Sequence, residues 1–379
     1  MVALKNCSIG TFMNYAAGKR VFAFGAGEMM RLFCMENERL AFEKILFAFT
    51  DNDATVWGTD YIIDKHHIPI IAVSDFVAGY RKDTDIILIT PYSAYPAVLG
   101  QLDQIPALDG AECFIFAYVN EHYDDGTALE LRDKIEVSKE REWQIPRKIH
   151  YVWFGGGKIP DGMKMCMESW NRYLVDYEIV RWDESNYDVS KNRYLKSAYE
   201  AKKYSKVSNY ARLDIIYENG GIYLDTDIEI VRPFDDLLYH QAFAGFSFKH
   251  FIELGVGFGG KKHFSLFQRF LEAYGDDSYF DAHQAVYMKK RQALLRSLGF
   301  LPDNSFQCVS GLTIYPNEFF SPLNPATGVF RMTENTYSIH HFAGTWDEGV
   351  RVRRNSAVEF YDKNKGRMES VSCPMCSSA

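Results

Sequence analysis

The sequence predicts an α/β protein built from two successive units. Three observations predict it. Short apolar runs alternate with stretches of helical spacing, the mark of a parallel sheet with helices on its faces. Gly-rich turns follow two of these runs, Gly25-Ala26-Gly27 and Gly155-Gly156-Gly157. A charged stretch from Gly126 to Gln144, free of Gly and Pro after its start, divides the two patterns. At 379 residues the chain is too long for one average domain and long enough for two.

The first unit, residues 1–125, is expected to be a small Rossmann-like parallel α/β domain. Its strands are predicted at Val21–Phe24, Ile45–Phe49, Ile68–Val73, Asp85–Thr90 and Cys113–Val119. Its helices are predicted from Glu28, from Ser74 and around Ala94–Leu102. Residues 126–144 read as a linker helix. The second unit covers 145–350, and 351–379 reads as a basic C-terminal tail. In the second unit a strand, Ile149–Trp153, runs into the Gly155 turn. Met163, Met167, Trp170 and Leu174 follow at helical spacing. A strand from Glu178 to Trp182 ends at Asp183, and a long helical stretch then reaches Glu218. Asn219-Gly220-Gly221 breaks that helix, and Ile222–Val231 reads as a strand.

Composition narrows the function classes. The chain is 47% hydrophobic and 24% charged, so it builds real cores and is no disordered segment. A formal net charge of −8 argues against a nucleic-acid binder, which would show a basic face. No apolar run is long enough to span a bilayer, and Met1–Arg20 lacks the apolar core of a signal peptide. The expected location is therefore the cytoplasm. The seven Cys are scattered and odd in number, so they form no disulfide framework. Cys373 and Cys376 make one CxxC, too few ligands for a tetrahedral zinc.

Chemistry concentrates at a few places. Gly25-Ala26-Gly27 between a strand and a helix is the setting of a dinucleotide turn, with Asp51 or Asp53 one βαβ unit later. The third glycine of that fingerprint is Met30 here, so a purely structural turn explains the pattern equally well. Asp225-Thr226-Asp227 follows an apolar run fed by Gly220-Gly221. On a strand, i and i+2 share a side, so the two carboxylates would converge and call for a hard divalent cation, Mg²⁺ or Mn²⁺. Such an ion completes its shell with water and ligand phosphates, which points to a diphosphate. Upstream, Ser205, Asn209 and Arg212 share one helix face and could reach sugar hydroxyls or phosphate. Near the end, His340-His341-Phe342-Ala343-Gly344-Thr345-Trp346 sets two histidines on opposite strand faces, so one of them can face a metal.

Taken in order, Ile145-Pro146-Arg147 with His150 and Trp153, then Ser205, Ser208-Asn209, Arg212 and Asp214, then Gly220-Gly221 with Tyr223, Asp225 and Asp227, resemble family 32 glycosyltransferases. The resemblance runs over roughly residues 145–350 and is to bacterial capsular-polysaccharide members, and more distantly to the large clostridial glucosylating toxins. It implies a GT-A type nucleotide-diphospho-sugar transferase domain, a UDP-sugar donor, Mn²⁺ or Mg²⁺, and retention of configuration. It implies that Asp225 and Asp227 hold the metal, and that Arg212 and Asn209 contact the donor sugar. The family pattern carries Asp where this chain has Asn209. It further implies that Trp153 stacks on the base, that Tyr223 lines the nucleotide pocket and that Asp183 sits near the nucleoside. His341 is similar to the metal-binding His of an His-x-x-Gly motif, and Thr345 and Trp346 resemble a loop closing over the diphosphate. Glu253, in the Gly-rich segment to Gly260, is the acceptor-side candidate.

The implied task is transfer of a hexose or N-acetylhexosamine to a glycan or lipid-linked glycan hydroxyl in surface polysaccharide synthesis. The basic tail reads either as a solvated face or as a contact with an anionic membrane at the inner face of the cell. A homo-oligomer is compatible with the sequence. Three rival readings stay open: a non-catalytic nucleotide-sugar or glycan-binding protein, an NAD-dependent oxidoreductase built on the first unit, and a metal-dependent nucleotidyltransferase.

Overall fold

The computed structural model describes residues 1–121, 142–247, 252–281, 284–344 and 348–371. The expected linker helix falls almost wholly outside these residues, as do Thr345, Trp346, Cys373 and Cys376. The described chain is mixed α/β. It divides into two compact units. No helix among the described residues is long and apolar enough to cross a membrane.

The first unit is an eight-stranded sheet. Its strands are β1 (Ala3–Asn6), β2 (Arg20–Phe24), β3 (Leu46–Thr50), β4 (Asp60–Ile63), β5 (His66–Ile71), β6 (Asp85–Ile89) and β7 (Glu112–Ile115), joined by Glu369–Ser370. The order is Glu369–Ser370, β1, β7, β6, β2, β3, β5, β4, parallel throughout except for β4 on β5. All five residues of β6 are buried: Ile86–Ile89 form the apolar run of a central parallel strand, and Asp85 at its start pairs with Arg20. Three strands escaped the sequence pattern. β1 and Glu369–Ser370 are short, and β4 alternates buried and exposed residues as an edge strand.

Gly25 sits where the chain order reverses, between β2 and β6. Its φ is 110°, and a Cβ there would stand 2.6 Å from Pro91 Cγ and 2.8 Å from Thr90 Oγ1. Asp51 is engaged by the same turn: its Oδ2 accepts the Ala26 amide at 2.7 Å and its Oδ1 the Asp53 amide at 2.9 Å. Met30 is 1% exposed in the core beneath. Packing alone therefore accounts for the first Gly-rich turn.

The segment expected to be a basic tail is not one. From Arg353 onward it belongs to the first unit, as the end of the helix Glu348–Asn364 and as the edge strand Glu369–Ser370 on β1. Arg367 donates to both oxygens of Asp103 at 2.8 and 2.9 Å, Lys363 pairs with Glu359, and Lys365 with Asp362. The acids that neutralise these cations lie far away in sequence or are interleaved with them.

The second unit carries β8 (Lys148–Val152), β9 (Glu178–Trp182), β10 (Gly221–Tyr223), β11 (Ile228–Ile230), β12 (Ala242–Gly245), β13 (Phe258–Gly260), β14 (Gln307–Val309), β15 (Leu312–Tyr315) and β16 (Ser338–His340). Seven of these form one sheet in the order β14-β15-β12-β13-β10-β8-β9, and β11 pairs with β16 in a separate ladder. The sheet is mixed. β9, β8 and β10 run parallel, while β13 is antiparallel to both β10 and β12.

The long helix is Tyr204–Asn219. It ends at Gly220 and Gly221, with φ of 68° and 105°. A Cβ on Gly221 would stand 2.8 Å from Lys148 O and 2.9 Å from His150 Nε2. The two glycines thus let the chain reverse and press against β8. The single strand expected over 222–231 is broken. β10 ends at Tyr223, residues 224–227 turn with the Ile228 amide on Asp225 O at 3.1 Å, and β11 begins in the other sheet.

His150, on β8, is 1% exposed. Its Nδ1 accepts from Trp182 Nε1 at 3.0 Å, and its Nε2 donates to Gly220 O at 2.9 Å. Burial pushes its pKa down to about 4, from about 6.5 in an unfolded chain. A depressed folded pKa gives stability that is full above about pH 6.5 and is lost as pH falls through about 4. Urea unfolding followed by tryptophan fluorescence should show the second unit losing about 2–3 kcal/mol between pH 7 and 4.5 through this group. His150→Gln should start less stable at pH 7 and lose correspondingly less on acidification.

Candidate active site

Three adjacent parallel strands, β9, β8 and β10, end at one edge. Asp183 follows β9, Trp153 follows β8, and Asp225 lies two residues past β10. The carboxyl edge of parallel strands is where open α/β sheets bind ligands. Trp153 is held there by its amide on Trp182 O at 2.8 Å and by its indole Nε1 on Gly157 O at 2.6 Å. The Gly155 turn beside it has no room for a side chain, because a Cβ would stand 2.4 Å from the Tyr204 ring. Asp183 is committed to its own loop. Its Oδ1 accepts from the Ser185 amide and hydroxyl, and its Oδ2 pairs with Arg181 at 3.0 Å.

The centre of the site is an ion pair. Arg212, on the helix Tyr204–Asn219, donates from Nη2 to Asp225 Oδ1 at 3.0 Å and from Nε to Ser208 O at 3.2 Å. Tyr223 Oη donates to the same Asp225 oxygen at 3.0 Å, and the Arg212 guanidinium lies 5.0 Å from the Tyr223 ring centroid. Tyr223 is 1% exposed, so it braces Asp225 from below rather than lining an open pocket. Gly255 closes the other side. A Cβ on it would stand 2.4 Å from Asp225 Oδ2 and 2.5 Å from Arg212 Nη1.

Asp225 keeps 26% of its side chain exposed and Asp227 12%, so the first remains open to a ligand. Burial pushes the Asp225 carboxyl up, and Asp227 adds to this against the pull of Arg212. Burial works against ionised Asp227 too, but His340 and the Ala343 amide outweigh it and hold its carboxyl down at about 2. The turn, rather than strand alternation, brings the two acids together.

The histidine beside Asp227 is His340, with Nε2 3.4 Å from Asp227 Oδ2. The sequence favoured His341 at this place. In the β11–β16 ladder Ile228 faces His340 and Glu229 faces Ile339, which sets His341 diagonal to Glu229. Its Nε2 lies 2.8 Å from Glu229 Oε2, and its backbone amide donates to Asp227 O at 3.1 Å. His340 Nδ1 is buried with no hydrogen-bond partner.

Asn209 and Arg212 do share a helix face, and both line a pocket with Glu253, Tyr274, Tyr287 and Arg291. Glu253, expected on an acceptor side, thus lines the same pocket as Asn209 and Arg212. Gly255, Tyr274 and Arg291 were not singled out by the sequence, and His340 was ranked behind His341. Gly255 sat visibly inside a Gly-rich run, but nothing in its local pattern told which glycine faced the acids.

The donor set suits a hard divalent cation. Asp225 and Asp227 are close enough to interact electrostatically, and His340 Nε2 stands 3.4 Å from Asp227 Oδ2. Among the described residues no three His, Cys, Asp or Glu side chains already stand at ligand geometry. A cation here would therefore draw part of its shell from ligand oxygens or water.

Gly255→Ala should displace Asp225 or Arg212, because no L-residue side chain fits at 2.4 Å. The expected cost is about 1–3 kcal/mol of stability and loss of ligand binding. Thermal unfolding and nucleotide titration of the variant check this.

Residues 160–244 match the family described as "Glycosyltransferase sugar-binding region containing DXD motif". The matched stretch holds Asp183, Asn209, Arg212, Tyr223, Asp225 and Asp227. The chain is 32% identical over 111 residues to inositol phosphoceramide mannosyltransferase 3 of Schizosaccharomyces pombe, covering 28% of this chain and 31% of that protein. It is 26% identical over 141 residues to subversion of eukaryotic traffic protein A of Legionella pneumophila, covering 30% of this chain and 22% of that protein. It thus spans under a third of the length of these relatives. Among solved structures, PaToxG Glycosyltransferase aligns at a TM-score of 0.30 and 14% identity, over 45% of this chain and 79% of that one, too distant a likeness to fix a fold. The acidic turn and the helix that braces it lie inside the stretch that matches the DXD-containing sugar-binding model.

Proposed function

We propose that this chain is a glycosyltransferase that moves a hexosyl unit from a nucleoside-diphosphate sugar to a hydroxyl group, with a divalent cation at Asp225 and Asp227. The observation that carries the reading is the buried Arg212–Asp225 pair beside anionic Asp227, at a parallel-strand edge, inside the matched sugar-binding segment. In this reading the second unit is of GT-A type and UDP is the favoured nucleotide. The mannosyltransferase relative makes a GDP-sugar the second choice.

When bound, Mn²⁺ or Mg²⁺ supplies Lewis-acid stabilisation of the departing diphosphate. Asp225, Asp227 and His340 would hold it. Trp153 offers a ring surface at the strand edge for the base. Arg212, fixed by Asp225, Ser208 and Tyr223, orients the donor without having to reorganise. Asn209 can donate to or accept from a sugar hydroxyl in the adjoining pocket. Retention of configuration comes into the proposal from the sequence resemblance, with the acceptor hydroxyl attacking on the face the diphosphate leaves.

The test is nucleoside-diphosphate release from a panel of UDP- and GDP-sugars with MnCl₂. At least one donor should be turned over, and Asp225→Asn, Asp227→Asn or excess chelator should cut turnover by at least about a hundredfold. Pyrophosphate release would instead mean nucleotidyl transfer. Binding without release from every donor would mean a non-catalytic protein.

A further inference from the structure

The pocket beside the Arg212–Asp225 pair is lined by a second guanidinium that makes no salt bridge among the described residues. Arg291 enters from the helix Gln284–Ser297. Its Nη2 donates to Ile252 O at 3.0 Å, and its Nε is buried with no partner. Arg212, by contrast, is held by hydrogen bonds from its Nη2 to Asp225 and from its Nε to Ser208. Glu253 lines the same pocket and interacts electrostatically with Arg291, but they form no salt bridge. Tyr274 and Tyr287 stack as a wall, with ring centroids 4.3 Å apart.

A buried donor left unmade costs about 1–3 kcal/mol. Here an acid, Glu253, and a base with an unpartnered nitrogen, Arg291, line one pocket without pairing with each other. A hydroxyl closes such a gap, because it donates and accepts at once. A ligand carboxylate would satisfy Arg291 and be repelled by Glu253. We infer that Arg291 and Glu253 together recognise a hydroxyl of the donor sugar, and that they select neutral hexosyl donors over uronic-acid donors. The inference rests on the proposed glycosyl transfer. It makes Arg291 a specificity-determining residue outside the DXD segment.

The test measures affinity, with MnCl₂ present, for UDP, UDP-glucose, UDP-N-acetylglucosamine and UDP-glucuronic acid, and for GDP and GDP-mannose. Arg291→Met should weaken the preferred nucleotide sugar by about tenfold or more, the scale of a lost charge-assisted hydrogen bond. It should leave the matching nucleoside diphosphate within about twofold, and Arg291→Lys should restore part of the loss. Glu253→Gln should narrow the preference for neutral over glucuronic donors, and it carries the test if Arg291→Met loses its cooperative unfolding transition. Equal loss for sugar nucleotide and nucleotide, or unchanged affinity for both, would overturn the role of Arg291. Tighter binding of UDP-glucuronic acid than of the neutral donors by the unaltered protein would overturn the selectivity. Failure of the unaltered protein to bind any of the six compounds would instead strike the proposed function itself.

Discussion

The Arg212–Asp225 ion pair is the contact on which the site depends. It joins the helix Tyr204–Asn219 to the turn after β10, and the two glycines at the helix end decide where that turn falls. Tyr223 supports it from below, and Gly255 leaves space for it above. Removing one member of a buried pair strands the other charge, at about 3–5 kcal/mol. A structure that keeps this pair partly open to solvent on the Asp225 side has placed a charge where a ligand can reach it.

Charge balance explains the rest of the arrangement. Asp225 is offset by Arg212, and Asp227 by His340 and the Ala343 amide. The two acids therefore tolerate their proximity before any ligand arrives. Among the described residues, the open valences at the site include the exposed part of Asp225, the buried Nδ1 of His340, the Nε of Arg291 and the Tyr287 hydroxyl. Each marks a direction from which a ligand atom completes a partnership that the chain leaves unfinished.

Much of this was legible in the sequence. The alternation of apolar runs and helices indicated both units, and Asn209 and Arg212, expected on one helix face, do line one pocket. What the pattern could not carry were facts of register and turn. The acidic pair sits in a turn because β11 leaves the main sheet, which no local periodicity reveals. The choice between His340 and His341 depends on how β16 pairs with β11, a contact across more than a hundred residues. Arg291 lies on a helix with no motif, and only the fold brings it to Glu253. The C-terminal basic residues looked solvated because Asp103, the acid that pairs with Arg367, is remote in sequence. The Gly25 turn had two explanations, and the packing of Pro91 and Thr90 against it supplies a structural one.

The most direct measurement is electron paramagnetic resonance of Mn²⁺ titrated with the protein, in the presence and absence of UDP or GDP. The account predicts that free Mn²⁺ signal falls when protein and one nucleoside diphosphate are both present, and that Asp225→Asn combined with Asp227→Asn abolishes the fall. Equal Mn²⁺ binding by the doubly substituted and unaltered proteins would contradict it.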